Sequence, residues 1–167
     1  MRKHAGTRRQ TVWVGDVKPS PGHQIHDRIC LRELRIPVVR KGLAYDGPAF
    51  KRTVSVYAIA RRRAVEGDVP LPRLFQVTRD GNLAFLDLEY MGPDSSKSGV
   101  GLTEFRRLRK LAITELQQGL GVMPKSVSRH RNNWSITARP GEGRLRAYLL
   151  DFGNVCLRGS PYQREYS

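Results

Sequence analysis

The sequence predicts an α+β protein with two lobes, and three features of the chain lead to this fold class. Asp80-Gly81 lies between two apolar runs, which is the strongest short-range signal of a β-hairpin. Residues 102–118 place apolar side chains every three or four positions, which is typical of an amphipathic helix. The polar residues 93–101, rich in serine and glycine, separate these patterns and predict a hinge. We therefore expect a small mixed sheet with one helix before the hinge, and a reduced helical lobe after it.

The length and composition are those of a globular chain. Its 167 residues are enough for one domain or two small lobes with a core, and 39% of them are hydrophobic. No apolar run approaches the length of a membrane span, and the basic N-terminus lacks the apolar segment of a secretory signal. We therefore expect a cytoplasmic protein. The two cysteines are far apart in the chain, which argues against structural zinc and favours reduced thiols.

The chain is strongly basic, with 30 Lys and Arg against 15 Asp and Glu and a formal net charge of +15. Such a charge predicts affinity for polyanions, namely nucleic acid, anionic lipid or phosphorylated substrates. Arginine dominates, which favours forked contacts to phosphate. A solvated basic surface is the alternative, and charge alone does not separate the two. Residues 1–10 are predicted to be a disordered basic arm.

Residues 11–92 are predicted to form the sheet and its helix. Strands are expected at residues 11–14, 29–31 and 34–39, where β-branched and other apolar residues cluster. A helix is expected from Pro48 to about Arg63, since proline suits a first helical turn and arginines suit the last. The hairpin strands are expected at residues 73–77 and 83–90.

Residues 102–167 are predicted to form the second lobe. The helix at 102–118 has one apolar face, and four basic residues coat its other side: Arg106, Arg107, Arg109 and Lys110. These four are candidates for binding phosphates or another polyanion, and the alternative is an ordinary solvated helix face. A polar loop at residues 126–133 precedes strands at 134–137 and 145–150. The second strand leads directly into Asp151-Phe152-Gly153.

The order of these blocks resembles the protein-kinase-like superfamily, and most closely its small phosphotransferases. These include the aminoglycoside and choline kinases and the compact bacterial YrbL-type proteins. Residues 69–74 with the hairpin ending at Met91 are similar to the last strands before a kinase hinge. Residues 126–136 are similar in layout to an H-G-D-x-H-x-x-N catalytic loop, and Asp151-Phe152-Gly153 is similar to the magnesium-binding D-F-G motif. The resemblance covers roughly residues 50 to 157.

The resemblance implies a kinase-like two-lobed fold that binds ATP and Mg²⁺. It assigns the metal to Asp151 and Asn133, and it places Ser128 and His130 at the catalytic-loop positions. The resemblance assigns nucleotide binding to Lys41, Glu89 and Met91. Purely structural roles are the alternative for each of these residues. Asp151 can be an acid at the end of a strand that pairs with an arginine. Asn133 likewise suits a turn, and His130 suits a solvated loop.

Several positions depart from the family pattern. Ser128 stands where the family has the aspartate that accepts the substrate proton, and serine is a poor general base at neutral pH. The helix at 48–63 contains no acidic residue to pair with a strand lysine, and no glycine-rich phosphate loop is recognisable. Only residues 156–167 follow these blocks, so the second lobe is expected to be reduced. We therefore expect a pseudokinase or an atypical small kinase that binds ATP and Mg²⁺ weakly. If it is active, it is an ATP-dependent phosphotransferase.

A different class of function is also consistent with the sequence. The high charge, the missing base and the missing helix glutamate suit a basic nucleic-acid-binding or ribonucleoprotein-associated module without catalysis. Such a module is not marked by any recognisable binding motif or by interleaved aromatic residues.

Overall fold

The structure is a computed structural model that describes residues 28–31, 36–139 and 141–160. The described residues form six strands and two α-helices: β1 (Arg28–Leu31), β2 (Ile36–Ala44), α1 (Pro48–Arg62), β3 (Leu74–Asp80), β4 (Leu83–Glu89), α2 (Leu102–Leu120), β5 (Trp134–Thr137) and β6 (Arg146–Leu149). The expected α+β class is therefore confirmed. The predicted basic arm at residues 1–10 and the predicted strand at 11–14 lie outside the described residues.

The chain divides into two compact units that interleave along the sequence. The first unit contains the described residues up to Lys51 together with Leu74–Tyr90, and the second contains Arg52–Arg73 and the described residues from Met91 onward. The sequence predicts one lobe at residues 11–92 and a second at residues 102–167, with a hinge at 93–101. In the structure most of α1 and the segment after it fall in the second unit, where the N–H of Leu149 donates to the carbonyl of Pro70 at 3.1 Å.

The first unit is built on a four-stranded sheet with the order β1-β2-β4-β3, and each described pairing is antiparallel. The expectation of a mixed sheet is therefore wrong. The hairpin turns at Asp80-Gly81, where Gly81 has a φ of 56°, and its second strand inserts between β2 and β3. Strands β2 and β3 run in the same direction but never pair, which is why the connection through α1 produces no parallel ladder.

The second unit contains α2 and the β5–β6 hairpin. The apolar face predicted for α2 is buried: Phe105, Leu108, Ala112, Leu116 and Leu120. The helix runs two residues beyond the predicted end at Gln118, to Leu120. It stops at Gly121, whose left-handed φ of 74° lets its N–H bond to the carbonyl of Gln117.

Helix α1 lies where the sequence predicted it, but a different face is buried. The helical spacing of Phe50, Val54 and Tyr57 or Ala58 predicts an apolar stripe. Of these residues only Tyr57 is buried, and the other buried positions are Thr53, Val56 and Ala60. Tyr57 determines which face of α1 is buried in the second unit, because its hydroxyl donates to the carbonyl of Pro72 at 2.5 Å. Its ring meets Phe152 edge to face at 5.5 Å.

Candidate functional site

The loop that resembles a catalytic loop is folded around Ser128. The amide Nδ2 of Asn133 donates to the Ser128 hydroxyl at 2.7 Å, and the backbone N–H of His130 donates to the same oxygen at 3.2 Å. The indole of Trp134 donates to the Ser128 carbonyl at 2.8 Å. The Ser128 hydroxyl therefore accepts two hydrogen bonds from its own loop, one of which fixes the Asn133 amide.

The loop is also anchored from outside. Arg131 donates to the carbonyls of Ser95 and Val100, at 2.9 and 2.5 Å. The Ser95 hydroxyl returns a bond to the carbonyl of Arg131 at 2.6 Å. These bonds join the loop to the polar residues 93–101, which the sequence predicted as a hinge. Within the second unit this segment therefore contains ordered contacts, including a 3₁₀ turn at Ser95–Lys97 capped by Asp94.

Asp151 lies beside this loop. The N–H of Leu150 donates to the carbonyl of Asn133 at 2.8 Å, which holds the end of β6 against the loop. The Asp151 carboxylate accepts the N–H of Gly153 at 3.0 Å, and Phe152 is buried under the turn. The structure therefore brings together Ser128, Asn133 and Asp151, although they lie in two separate segments of the chain.

His130 takes no part in this cluster through its side chain. The residue is exposed, and its imidazole makes no hydrogen bond or ion pair with the described residues. Only its backbone contributes, since its carbonyl accepts the N–H of Asn133 at 3.1 Å. This position is that of a solvated loop residue.

The three residues assigned to the nucleotide side fall in different units. Lys41 lies on β2 opposite Leu86, and Glu89 ends β4 opposite Val38, so both belong to the first unit. Met91 belongs to the second unit and is 3% exposed. Its carbonyl accepts a hydrogen bond from the buried Ser135 hydroxyl. The Met91 carbonyl, at a position that the resemblance assigns to nucleotide binding, therefore already makes a structural contact.

The side-chain oxygens of Asp151 and Asn133 are of the type that magnesium prefers as ligands. Mg²⁺ is bound through one or two carboxylates, with the other positions filled by water and substrate phosphates. Asp151 supplies a carboxylate, and the amide oxygen of Asn133 accepts no hydrogen bond from the described residues. No cluster of three or more His, Cys, Asp or Glu occurs in the described part of the chain. A metal at this place would therefore depend on phosphate oxygens for further ligands.

The basic residues predicted on α2 separate into two groups. Arg106, Arg109 and Lys110 line a groove of about 520 Å³, and two residues beyond the helix, Lys125 and Arg129, complete its cationic lining. We call these five residues the basic groove. Arg107 is not part of it, because its guanidinium makes a bidentate ion pair with Glu104, at 2.8 and 2.6 Å. That pair raises the pKa of Arg107 and lowers the pKa of Glu104.

The basic groove holds positive charge that no acidic residue of its lining offsets. Burial lowers the pKa of Arg109, and the positive charges of Arg129 and Arg106 lower it further. Arg109 is held in place by donating to the Arg129 carbonyl at 2.9 Å. The sequence missed Lys125 and Arg129, because their approach to α2 depends on the turn after Gly121 and on no local pattern.

A second cleft, of about 880 Å³, lies between α1, the end of α2 and residues 157–160. Its cationic lining consists of Arg62, Arg63 and Arg158, and Arg63 donates to the carbonyl of Gly119 at 2.9 Å. None of the residues that the sequence singled out as a site lines this cleft.

Comparison with known protein-family models gave no match. Comparison with curated protein sequences gave no match either.

Neither helix in the described ranges combines the length and the apolarity needed to cross a bilayer. Of the two cysteines, Cys156 is buried and free, and the side chain of Cys30 lies outside the described residues.

Proposed function

We propose that this chain is a kinase-like protein that binds ATP weakly in the presence of Mg²⁺ and transfers phosphate poorly, as a pseudokinase does. The observation that carries the proposal is the bond from the Leu150 N–H to the Asn133 carbonyl. It joins the segment similar to a catalytic loop to the Asp151-Phe152-Gly153 segment, and these are the two places where kinases bind magnesium.

The element order gives additional support. A strand bearing Lys41 is followed by α1 and then by a hairpin that leads to Met91. After these come α2, the Ser128–Asn133 loop and a two-stranded ladder that ends at Leu149, two residues before Asp151. The kinase signatures occur in this order: a strand lysine, a helix, the catalytic loop and D-F-G. This order of elements supports the proposal.

The proposed lack of transfer activity follows from two positions. The Ser128 hydroxyl already accepts the Asn133 amide, and serine does not take a proton at neutral pH as an aspartate does. Helix α1 contains no Asp or Glu, so it offers no carboxylate to Lys41. Bound Mg²⁺ would neutralise charge on the nucleotide phosphates. In this proposal Asp151 and Asn133 bind and orient, and no side chain of the loop moves a proton.

The test compares Asp151→Asn with Asp80→Asn in a thermal-shift and calorimetry series with ATP, with and without Mg²⁺. Asparagine at 151 still accepts the Gly153 N–H, so this variant removes the charge and retains the turn. Asp80 is an exposed hairpin residue and serves as the matched control. Since a ligand that binds the native state raises the unfolding midpoint, we expect a Mg²⁺-dependent rise in wild type and in Asp80→Asn.

The same rise should be absent in Asp151→Asn, and phosphate release should stay near background in all three proteins. A wild-type protein that millimolar Mg-ATP does not stabilise would contradict the proposal, and so would an equal rise in Asp151→Asn. Rapid ATP turnover that depends on Asp151 would contradict the pseudokinase part alone.

A further inference from the structure

We propose that the basic groove binds the phosphate backbone of a single-stranded nucleic acid without reading its sequence. This inference goes beyond the proposed nucleotide site, because the groove and the Ser128–Asp151 cluster share no residue. The two functions can therefore be present together or fail separately.

The arrangement of the cations is the first argument. Arg106, Arg109 and Lys110 lie on one stripe of α2, three and four residues apart, and Lys125 and Arg129 face them from the segment after the helix. The stripe continues through Thr114 to Gln117, a span of about 16 Å on a helix that rises about 1.5 Å per residue. At one phosphate per about 3.4 Å or more of strand, this length accommodates at most about five of them.

The availability of the cations is the second argument. The side chains of Arg106, Lys110, Lys125 and Arg129 make no hydrogen bond or ion pair with any residue that the structure describes. By contrast, Lys97, Arg107 and Arg144 each lie within 4 Å of a carboxylate. Arg129 and Arg106 repel the charge of Arg109, and an anion in the groove would offset that repulsion.

The shape and lining of the groove favour a single strand over other polyanions. A concave basic groove can follow a flexible backbone, whereas a bilayer presents a broad surface that contacts flat or convex faces. Arginine forks suit phosphate geometry. No aromatic residue lines the groove, so bases have no stacking platform and the binding is expected to depend on salt rather than on sequence.

The experiment measures binding of a fluorescent oligouridylate by anisotropy over a series of salt concentrations, with the full chain. The groove variant carries Arg106→Gln, Lys110→Gln and Lys125→Gln. The control variant removes the same charge with Lys97→Gln, Arg107→Gln and Arg144→Gln, at exposed positions outside the groove. Unfolding midpoints are measured for both, and a single Lys125→Glu variant is used if the groove triple does not fold.

We expect the groove triple to weaken binding by at least about tenfold near 0.1 M salt. It should also lower the slope of log affinity against log salt by about 2, since each lost contact to a single strand contributes about 0.7. Lys125→Glu should lower the slope by at least about 0.7, the contribution of the one contact it removes. The control triple should weaken binding by less than about threefold, because its cations are already paired with acids. Mg-ATP stabilisation should persist in the groove triple, which separates this site from the nucleotide site.

Three results would overturn the assignment. The first is an equal loss of affinity in both triples, which would indicate diffuse attraction by net charge. The second is equal competition by polyglutamate of matched charge, which would indicate a general polyanion site. The third is loss of binding to phosphatidylserine vesicles in the groove triple with oligouridylate binding unchanged, which would indicate a membrane surface instead.

Discussion

Arg40 and Asp87 form a buried, bidentate ion pair across the β2–β4 pairing, where they stand directly opposite each other. Arg40 Nε lies 2.5 Å from Asp87 Oδ1, and Nη2 lies 2.7 Å from Oδ2. Asp87 is fully buried and also accepts a bond from the Gln76 amide. Each charge is therefore matched by hydrogen bonds, and the pair connects an interior strand of the sheet to its neighbour.

Removing one partner should be strongly destabilising. We expect Asp87→Leu or Arg40→Met alone to lower the free energy of unfolding by about 3–5 kcal/mol, because each leaves an uncompensated buried charge. The double variant should be more stable than either single variant, since it leaves no charge unpaired. Urea denaturation measures all three, and Arg107→Met is the exposed control with little expected effect. Strict additivity of the two single changes would disprove the coupling.

Arg139 should be a second determinant of stability, although the sequence provided no indication of it. It is 5% exposed and donates to the carbonyls of Gly67 at 2.8 Å and Leu71 at 2.5 Å. Arg139→Met should therefore cost about 2–4 kcal/mol, because two carbonyls lose charged donors. Arg139→Lys should cost less, since an ammonium can replace part of the fork. The exposed Arg144→Met is the control, and a similar midpoint for both methionine variants in urea would contradict the prediction.

Gly119 should resist substitution even though it lies inside α2. A Cβ there would come within 2.8 Å of Cγ1 of the buried Val69. Helix propensity alone would make Gly119→Ala stabilising by about 1 kcal/mol, but overpacking against a stiff β-branched side chain costs about 1–3 kcal/mol. We expect a net loss of stability in the wild-type background.

The effect of Gly119→Ala on stability should change from destabilising to stabilising when Val69 is shortened. In a Val69→Ala background the contact is absent, so Gly119→Ala should be stabilising there by about 1 kcal/mol. Thermal unfolding of the four proteins of this cycle measures the effect. The same effect of Gly119→Ala in both backgrounds would mean that the contact with Val69 is not the cause.

Tyr148 should make the protein sensitive to high pH. Burial raises the pKa of Tyr148, the hydrogen bond to Glu142 raises it further, and the charges of Arg139 and Arg146 only partly oppose this. In the unfolded chain the phenol ionises near about pH 10, so unfolding releases a proton above that pH. The contribution of the neutral phenol is therefore complete below about pH 10 and is lost as the pH rises towards the raised pKa.

The contribution of Tyr148 to the pH dependence of stability can be measured by comparing wild type with Tyr148→Phe. Stability should fall more steeply above about pH 10 in wild type than in Tyr148→Phe, because only wild type has this phenol to ionise. Absorbance at the phenolate band should show one late-titrating tyrosine in wild type that Tyr148→Phe lacks, and Glu142→Gln should bring it earlier. Identical profiles for wild type and Tyr148→Phe would argue against a raised pKa.

The local features of this protein were predictable because their causes are local. Asp80-Gly81 specifies a hairpin turn, and the spacing of apolar residues on α2 identifies the five side chains that are buried. The face of α1 was not predictable in the same way. Its apolar stripe is interrupted by Thr53 and by arginines, and packing of Tyr57 against Pro72 and Phe152 decides which side is buried.

The candidate site was predictable only in part. The sequence indicated Ser128, Asn133 and Asp151 through a resemblance, but their proximity depends on a bond between residues 133 and 150. It grouped Arg107 with three other basic residues of α2, whereas an ion pair with Glu104 separates it from the groove. Charge density along a helix does not show which cations are already neutralised by neighbours.

By itself, the sequence determined the α+β class, the hairpin, the ends of α1 and α2 within about two residues, and a large excess of positive charge. The tertiary structure alone decided that β4 inserts beside β2, that Arg40 meets Asp87 across 47 residues, and that Lys125 and Arg129 complete a groove with α2. The physical reason is the range of the interactions. Turn chemistry and amphipathic spacing act within a few residues, whereas ion pairing and groove formation depend on which distant segments are packed together.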